Sequence, residues 1–265
     1  MDLILTLSCP DRVGVVHAVT GVLAEHDANI VDSQEWGDPD TGQFFMRVHV
    51  TGSSGLREGF ATVAEQFAMD WSLHDLADRE RVLILVSKQG HCLHDLLYRQ
   101  SSGSLAIDVI GVASNHEDLR DLVEGYGIPF HHVLQESEVL GLAADSDLVV
   151  LARYMQILSA GLVDQLPDTI NIHHSFLPSF KGARPYQQAH DRGVKLIGAT
   201  AHYVTADLDD GPIIEQEVAR VTHALTPAQL AAQGADLETV CLARAVRWHV
   251  EHRVLRNGSR TVVFV

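Results

Sequence analysis

Residues 82–114 read VLILVSKQGHCLHDLLYRQSSGSLAIDVIGVAS. An apolar run, VLILVS (82–87), leads into a helical stretch around Leu93–Gln100, then into a second apolar run, LAIDVIGVAS (105–114). Continuous apolar strands separated by helices are the pattern of a parallel sheet covered on both faces. The alternation continues downstream with a helix near Glu117–Gly125, a short strand near His132, a helix near Ser137–Ala143 and the strand DLVVLA (147–152). TINIHH (169–174), LIGATAHYV (196–204) and IIEQEVARV (213–221) follow, and these later strands, joined by turns, read as antiparallel additions. A long helix opens at Thr226-Pro227, where a threonine cap and a first-turn proline are both favourable. It is expected to run past Gly234 toward Leu255, with Asn257-Gly258 turning into a last strand, TVVFV.

Upstream of residue 81 the rhythm differs. Leu3–Ser8 reads as a strand and Asp11–Gly14 as a turn, and Val15, Val16, Val19, Val22 and Leu23 recur at helical spacing. Asn29–Trp36 and Gln43–Val50 read as strands around the turn-rich Gly37–Gly42; Leu56–Met69 carries a helical stripe and Trp71–Leu76 closes the set. This βαββαβ order is the ferredoxin-like arrangement. Charge divides at the same place: residues 1–80 hold 14 acidic and 4 basic side chains, residues 81–265 hold 21 and 15. The expected domains are therefore 1–80 and 81–265. Asp78–Arg81 contains neither Pro nor Gly, so a short, direct junction is expected.

Composition narrows the function classes. With 46% hydrophobic and 20% charged residues, the 265-residue chain is globular and long enough to bury a core without covalent staples. Three scattered cysteines without a CxxC exclude a disulfide scaffold and a zinc ribbon and fit a reducing cytoplasm. A net charge of −16 repels nucleic acid and anionic lipid. The N-terminus carries no basic leader, and no apolar run reaches the ~18 residues of a membrane span. The expectation is a soluble cytoplasmic protein with neither nucleic acid nor membrane as partner. Of the sixteen histidines, His91–His94 and His131-His132 lack a three-ligand set with a carboxylate at zinc spacing, so no metal is expected.

The chemistry concentrates in Asp168–Tyr186, DTINIHHSFLPSFKGARPY. Alternate residues of a strand share a face, so Ile170 and Ile172 bury on one side while Asn171 and His173 project together on the other. Ligands of open α/β sheets sit beyond the carboxyl ends of strands, which suits this pair. Asn171 can donate a hydrogen bond to a carbonyl oxygen, and His173 can donate to the same oxygen or carry a proton. His174 faces the other way if the strand stays regular; it packs there, or holds water once the strand ends. In AHYVTADLDDGPII (201–214), Asp209–Pro212 is ordinary turn chemistry, yet a carboxylate there can orient an imidazole or polarise water.

These segments, in this order, resemble the folate-dependent formyltransferase family over about residues 82–225. NIHHSFLPSFKGARPY stands at its Asn-x-His and Leu-Pro loop, LDDGPII at its Leu-Asp-x-Gly-Pro segment, and VVLARYMQILS (149–159) at its pterin-contacting segment. The resemblance implies a Rossmann-like sheet of the formyltransferase type and catalytic roles for Asn171, His173 and Asp209. It also implies a folate pocket lined by Leu151, Met155, Gln156, Leu158 and the Tyr203–Asp209 loop, with Asp210 as a variable neighbour. CPDRVGVVHAVTGVLAEHDANI (9–30) resembles the ACT domain family. That implies association into a dimer or tetramer and a small amino-acid effector near Asp11, Gly14, Asn29 and Ile30, although the same residues also serve as plain turn and helix-start geometry.

Formyltransferases that use a phosphorylated amine bind it with a Gly-rich, Ser-Asn loop after the first strand of this domain. Here that segment is Ser87–Leu93, with one glycine and His91-Cys92 in place of Ser-Asn, though Lys88 can still attract an anion. His174 stands where the transferases have proline. The fusion of the two domains resembles the formyltetrahydrofolate deformylase family, which implies hydrolysis of 10-formyltetrahydrofolate with no prosthetic group. A transferase acting on an amine, or a non-catalytic amino-acid and folate sensor, remain the alternatives.

Overall fold

The computed structural model describes residues 1–52, 55–178 and 185–265, so the Ser179–Arg184 part of the proline- and glycine-punctuated loop lies outside the described residues. The chain divides into two compact units. The first contains β1 (Asp2–Pro10), α1 (Val15–Glu25), β2 (Asn29–Asp38), β3 (Gln43–Thr51), α2 (Leu56–Phe67) and β4 (Asp70–Asp75). Its antiparallel sheet has the order β2-β3-β1-β4. The two-residue strand period sets the core: Leu3, Leu5, Leu7 and Cys9 of β1 and Phe44, Met46, Val48 and Val50 of β3 bury against the apolar stripes of α1 and α2. Asp38 holds the β2–β3 turn by accepting from the Asp40 amide at 3.0 Å and the Thr41 hydroxyl at 2.8 Å.

The second unit begins with β5 (Glu80–Val86), α3 (His91–Ser101), β6 (Ile107–Ser114), α4 (Arg120–Gly125) and β7 (Phe130–His132). It continues through α5 (Glu136–Ala143), β8 (Leu148–Leu151), α6 (Ala160–Val163), β9 (Asp168–His173) and α7 (Pro185–Asp191). β10 (Leu196–Tyr203), β11 (Ile213–Arg220) and α8 (Pro227–Val250) complete it, and β12 (Val254–Asn257) and β13 (Arg260–Val263) form a terminal ribbon. Among the described residues the main sheet has the order β11-β10-β9-β8-β5-β6-β7. β7, β6, β5, β8 and β9 run parallel, and β10 and β11 are antiparallel additions. The chain steps outward from β5 to β6 and β7, then returns to the other side of β5 at β8. That reversal opens a crevice at the carboxyl ends of the central strands, where α/β sheets place ligands. Among the described residues no helix is long and apolar enough to cross a membrane.

Two boundaries differ from the sequence reading. α8 stops at Val250 rather than near Leu255, because His252 takes a left-handed φ of 52° and Val254–Asn257 is extended. Residues 251–257 and 262–265, expected with the second domain, belong to the first unit. Arg47, on the sheet face opposite the helices, donates to the Glu251 carbonyl at 3.0 Å and 3.2 Å. His74 stacks on His252 at 3.6 Å, and the Asn257 amide donates to Asp38 at 2.7 Å. Such contacts span some two hundred positions, beyond the reach of local pattern.

Candidate active site

β9 lies between β8, parallel, and β10, antiparallel. Its alternation buries Ile170 and Ile172 and turns Asn171 and His173 to the face that opens on the cleft. The register sets His202 of β10 directly opposite Asn171. His202 Nδ1 lies 2.8 Å from the Tyr203 carbonyl, which can only accept, so this nitrogen carries the proton. Burial holds the His202 pKa below its ordinary value, and the ring is neutral. Its Nε2 is then an acceptor and takes one N–H of the Asn171 amide at 3.2 Å. This fixes which end of the amide is the donor and leaves its second N–H for a ligand.

Asp209 reaches the same place from the β10–β11 connection. Its backbone is left-handed, φ 54°. Gly211 lets the turn close: a Cβ there would lie 1.8 Å from the Tyr203 carbonyl oxygen, while the Tyr203 amide donates to the Pro212 carbonyl at 2.9 Å. The folded turn brings Asp209 Oδ1 to 3.3 Å from His173 Nδ1 and 4.0 Å from His202 Nε2. Gly211→Ala is expected to destabilise the protein by about 1–3 kcal/mol, since the backbone must move to admit the methyl group. A urea melt reads this.

The hydrogen bond from His173 holds the Asp209 carboxyl below its ordinary pKa of 3.8, against the opposing effect of partial burial. A depressed carboxylate stabilises the fold above its unfolded pKa and loses that contribution as pH falls through its folded pKa. The stability difference between wild type and Asp209→Asn is therefore expected to be full at pH 6 and to vanish on acidification below 3.8, read from denaturation midpoints across that range.

The cleft holds about 400 Å³, within the usual range for small-molecule sites. Leu151, Met155, Gln156 and Leu158 line it as expected, opposite the loop Val204–Asp209. Met155, Ile157 and Leu208 leave 58%, 75% and 62% of their surface exposed at its walls, apolar area suited to a flat ring. Tyr203 and Asp210 do not line it. Strand alternation turns Tyr203 away from the face His202 occupies, and its hydroxyl pairs with His249 at 2.7 Å.

The formyl transferase family profile matches residues 80–246, and the ACT domain profile matches residues 3–64. A formyltetrahydrofolate deformylase of Corynebacterium sp. (strain P-1) is 52% identical over 98% of this chain and 97% of its own. The Bacillus subtilis (strain 168) formyltetrahydrofolate deformylase is 47% identical over 98% and 93%. A crystal structure of a formyltetrahydrofolate deformylase from Pseudomonas syringae pv. tomato superposes with a TM-score of 0.97 at 47% identity, covering 100% of this chain and 94% of that one. The chain belongs to the formyltetrahydrofolate deformylase family.

This member of the deformylase family carries polar groups at the cleft that sequence reading did not single out. His202 is one, and Arg153 is another. Arg153 is nearly buried, with φ 66°, and donates to Gln89 Oε1 at 2.6 Å and 3.0 Å. Its Nε lies 3.3 Å from Glu238, a carboxylate 2% exposed in the middle of α8. Glu238 also accepts from Tyr186 at 2.5 Å and pairs with His91 at 2.8 Å. Burial pushes its pKa up, but His91, Arg153 and Tyr186 together bring it below the ordinary value. His91, Cys92 and Glu238 place one ligand atom each within 4.8 Å, a grouping the sequence spacing did not suggest. With a guanidinium beside the carboxylate and burial keeping the Cys92 thiol protonated, the trio is organised as an ion-pair network rather than around a cation.

The four residues assigned to an effector do not meet within one copy. Asp11 and Gly14 follow the carboxyl end of β1, whereas Asn29 and Ile30 open β2 beside Thr51 and Val50, which pair with Asp2 and Leu3 at the amino end of β1.

Proposed function

We propose that Asn171, His173 and Asp209 catalyse the hydrolysis of 10-formyltetrahydrofolate to formate and tetrahydrofolate. One observation carries the assignment. His173 is tied through Nδ1 to Asp209, while its Nε2 is buried at the cleft with no hydrogen-bond partner among the described residues. A buried polar nitrogen left open in this way points to a ligand group that completes it.

The pterin lies among Leu151, Met155 and Leu158, which places the formyl group at the end of β9. Asn171 and the protonated ring of His173 donate to the formyl oxygen as it gains negative charge. Asp209 stabilises that imidazolium and receives the proton that the attacking water sheds. Collapse of the tetrahedral intermediate breaks the C–N10 bond, N10 takes up a proton, and formate leaves. Hydrogen bonds from these side chains suffice to polarise the formyl amide, and no prosthetic group is invoked. Incubation with 10-formyltetrahydrofolate and no amine is expected to release formate and tetrahydrofolate in equal amounts. Formyl transfer only after an amine is added would indicate a transferase, and no turnover at all a folate sensor.

The first unit takes a small amino acid in this reading, and the protein works as a homo-oligomer in the cytoplasm. Because Asp11 and Gly14 lie at the opposite end of the sheet from Asn29 and Ile30, a shared effector pocket needs two copies set turn against strand. Sedimentation with and without small amino acids tests this: a monomer in both conditions would contradict it.

A further inference from the structure

We infer that His174 holds the nucleophilic water, its Nδ1 accepting a hydrogen bond from a water molecule beside the formyl carbon. The inference rests on the hydrolase reading above and adds to it the residue that selects water.

β9 ends at His173, so strand alternation no longer turns the next residue away, and His174 lines the same cleft as His173. The two ring centres are 5.0 Å apart with planes at 81°, a spacing at which one reacting group can meet both. Among the described residues, each ring presents one buried nitrogen without a partner: Nε2 of His173 and Nδ1 of His174. An unmet buried polar atom costs about 1–3 kcal/mol, and two on consecutive residues of one cleft are readily explained by molecules that complete them in use. The charges around the two rings differ. His173 faces the Asp209 carboxylate and forms the donor. Burial, with Arg153 and His173 nearby, lowers the His174 pKa to about 4, so its ring stays neutral at physiological pH and offers a lone pair. A donor for the formyl oxygen beside an acceptor for water is the pairing that addition to a carbonyl requires.

In the step this describes, the water oxygen forms a bond to the formyl carbon and the C–N10 bond breaks. One water proton passes through Asp209 to N10; the other leaves when formic acid ionises to formate. His174 orients the water and keeps no proton.

Three variants test the assignment in the amine-free formate assay: His174→Leu, His174→Asn and His174→Gln. Asparagine sets its amide close to the position of Nδ1, glutamine close to that of Nε2. Leucine and glutamine are expected to lower kcat by about ten- to a hundredfold with KM and tetrahydrofolate binding little changed, while asparagine retains most of the activity. The atom-specific rescue separates water binding from a packing role, which any side chain of similar size would satisfy. Wild-type kcat in His174→Leu, or equal losses in the asparagine and glutamine variants, would overturn the assignment while leaving the hydrolase reading standing. If His174→Leu does not fold, the asparagine–glutamine comparison decides. Absence of formate from the wild-type enzyme would remove the hydrolase reading and this assignment with it.

Discussion

Replacing Asp209 by asparagine is expected to lower kcat by about 10²–10⁴-fold, the range for loss of a positioned acid–base group. The carboxylate does two things that an amide cannot. In the proposed mechanism it stabilises positive charge on His173 from 3.3 Å, and it accepts a proton from the attacking water. Asparagine keeps the size and can keep a hydrogen bond to Nδ1, so folding and folate binding should survive while the protonated ring loses its counter-charge. The expected signature is a collapse of kcat with little change in KM. A variant with kcat within a few fold of wild type would remove Asp209 from the chemistry.

Asn171→Ala is expected to cost about 3 kcal/mol of transition-state stabilisation, on the order of a hundredfold or more in kcat, as loss of one oxyanion donor does elsewhere. Folate binding should largely persist, because the apolar walls at Leu151, Met155 and Leu158 are untouched. Truncation also leaves His202 Nε2 without the N–H it accepts, so a modest loss of stability accompanies the loss of rate. In the proposed mechanism Asn171 and His173 act on one oxygen, so the double variant with His173→Ala should lose much less than the product of the two single losses. Multiplicative losses would mean that the two side chains act at different atoms.

The parts of this site that were legible in the sequence share a physical basis. β9 was readable because two isoleucines alternate with an amide and an imidazole, a two-residue period that fixes which side chains travel together. The Asp209–Pro212 turn was readable because glycine and proline restrict the backbone so strongly. What failed depended on partners distant in the chain. His202 acquires its role only from the β9–β10 register, which pattern alone does not supply. The sequence sets Tyr203 in the pocket with its loop, although the alternation that turns His202 to the cleft buries Tyr203 on the opposite face, against His249. Glu238 sits amid a 24-residue helix and is buried because Arg153, His91 and Tyr186 converge on it from other elements. Residues 251–257 and 262–265 join the first unit through contacts such as Arg47 with Glu251, which no local signal announces.

The central claim is that water, activated between Asp209 and the formyl carbon, takes the place of an amine. Turnover of 10-formyltetrahydrofolate in ¹⁸O-enriched water, with no amine present, tests it most directly. The account predicts formate carrying one solvent oxygen, formed in step with tetrahydrofolate and slowed together with it in Asp209→Asn. Formate without the label, or tetrahydrofolate released only when an amine is supplied, would contradict it.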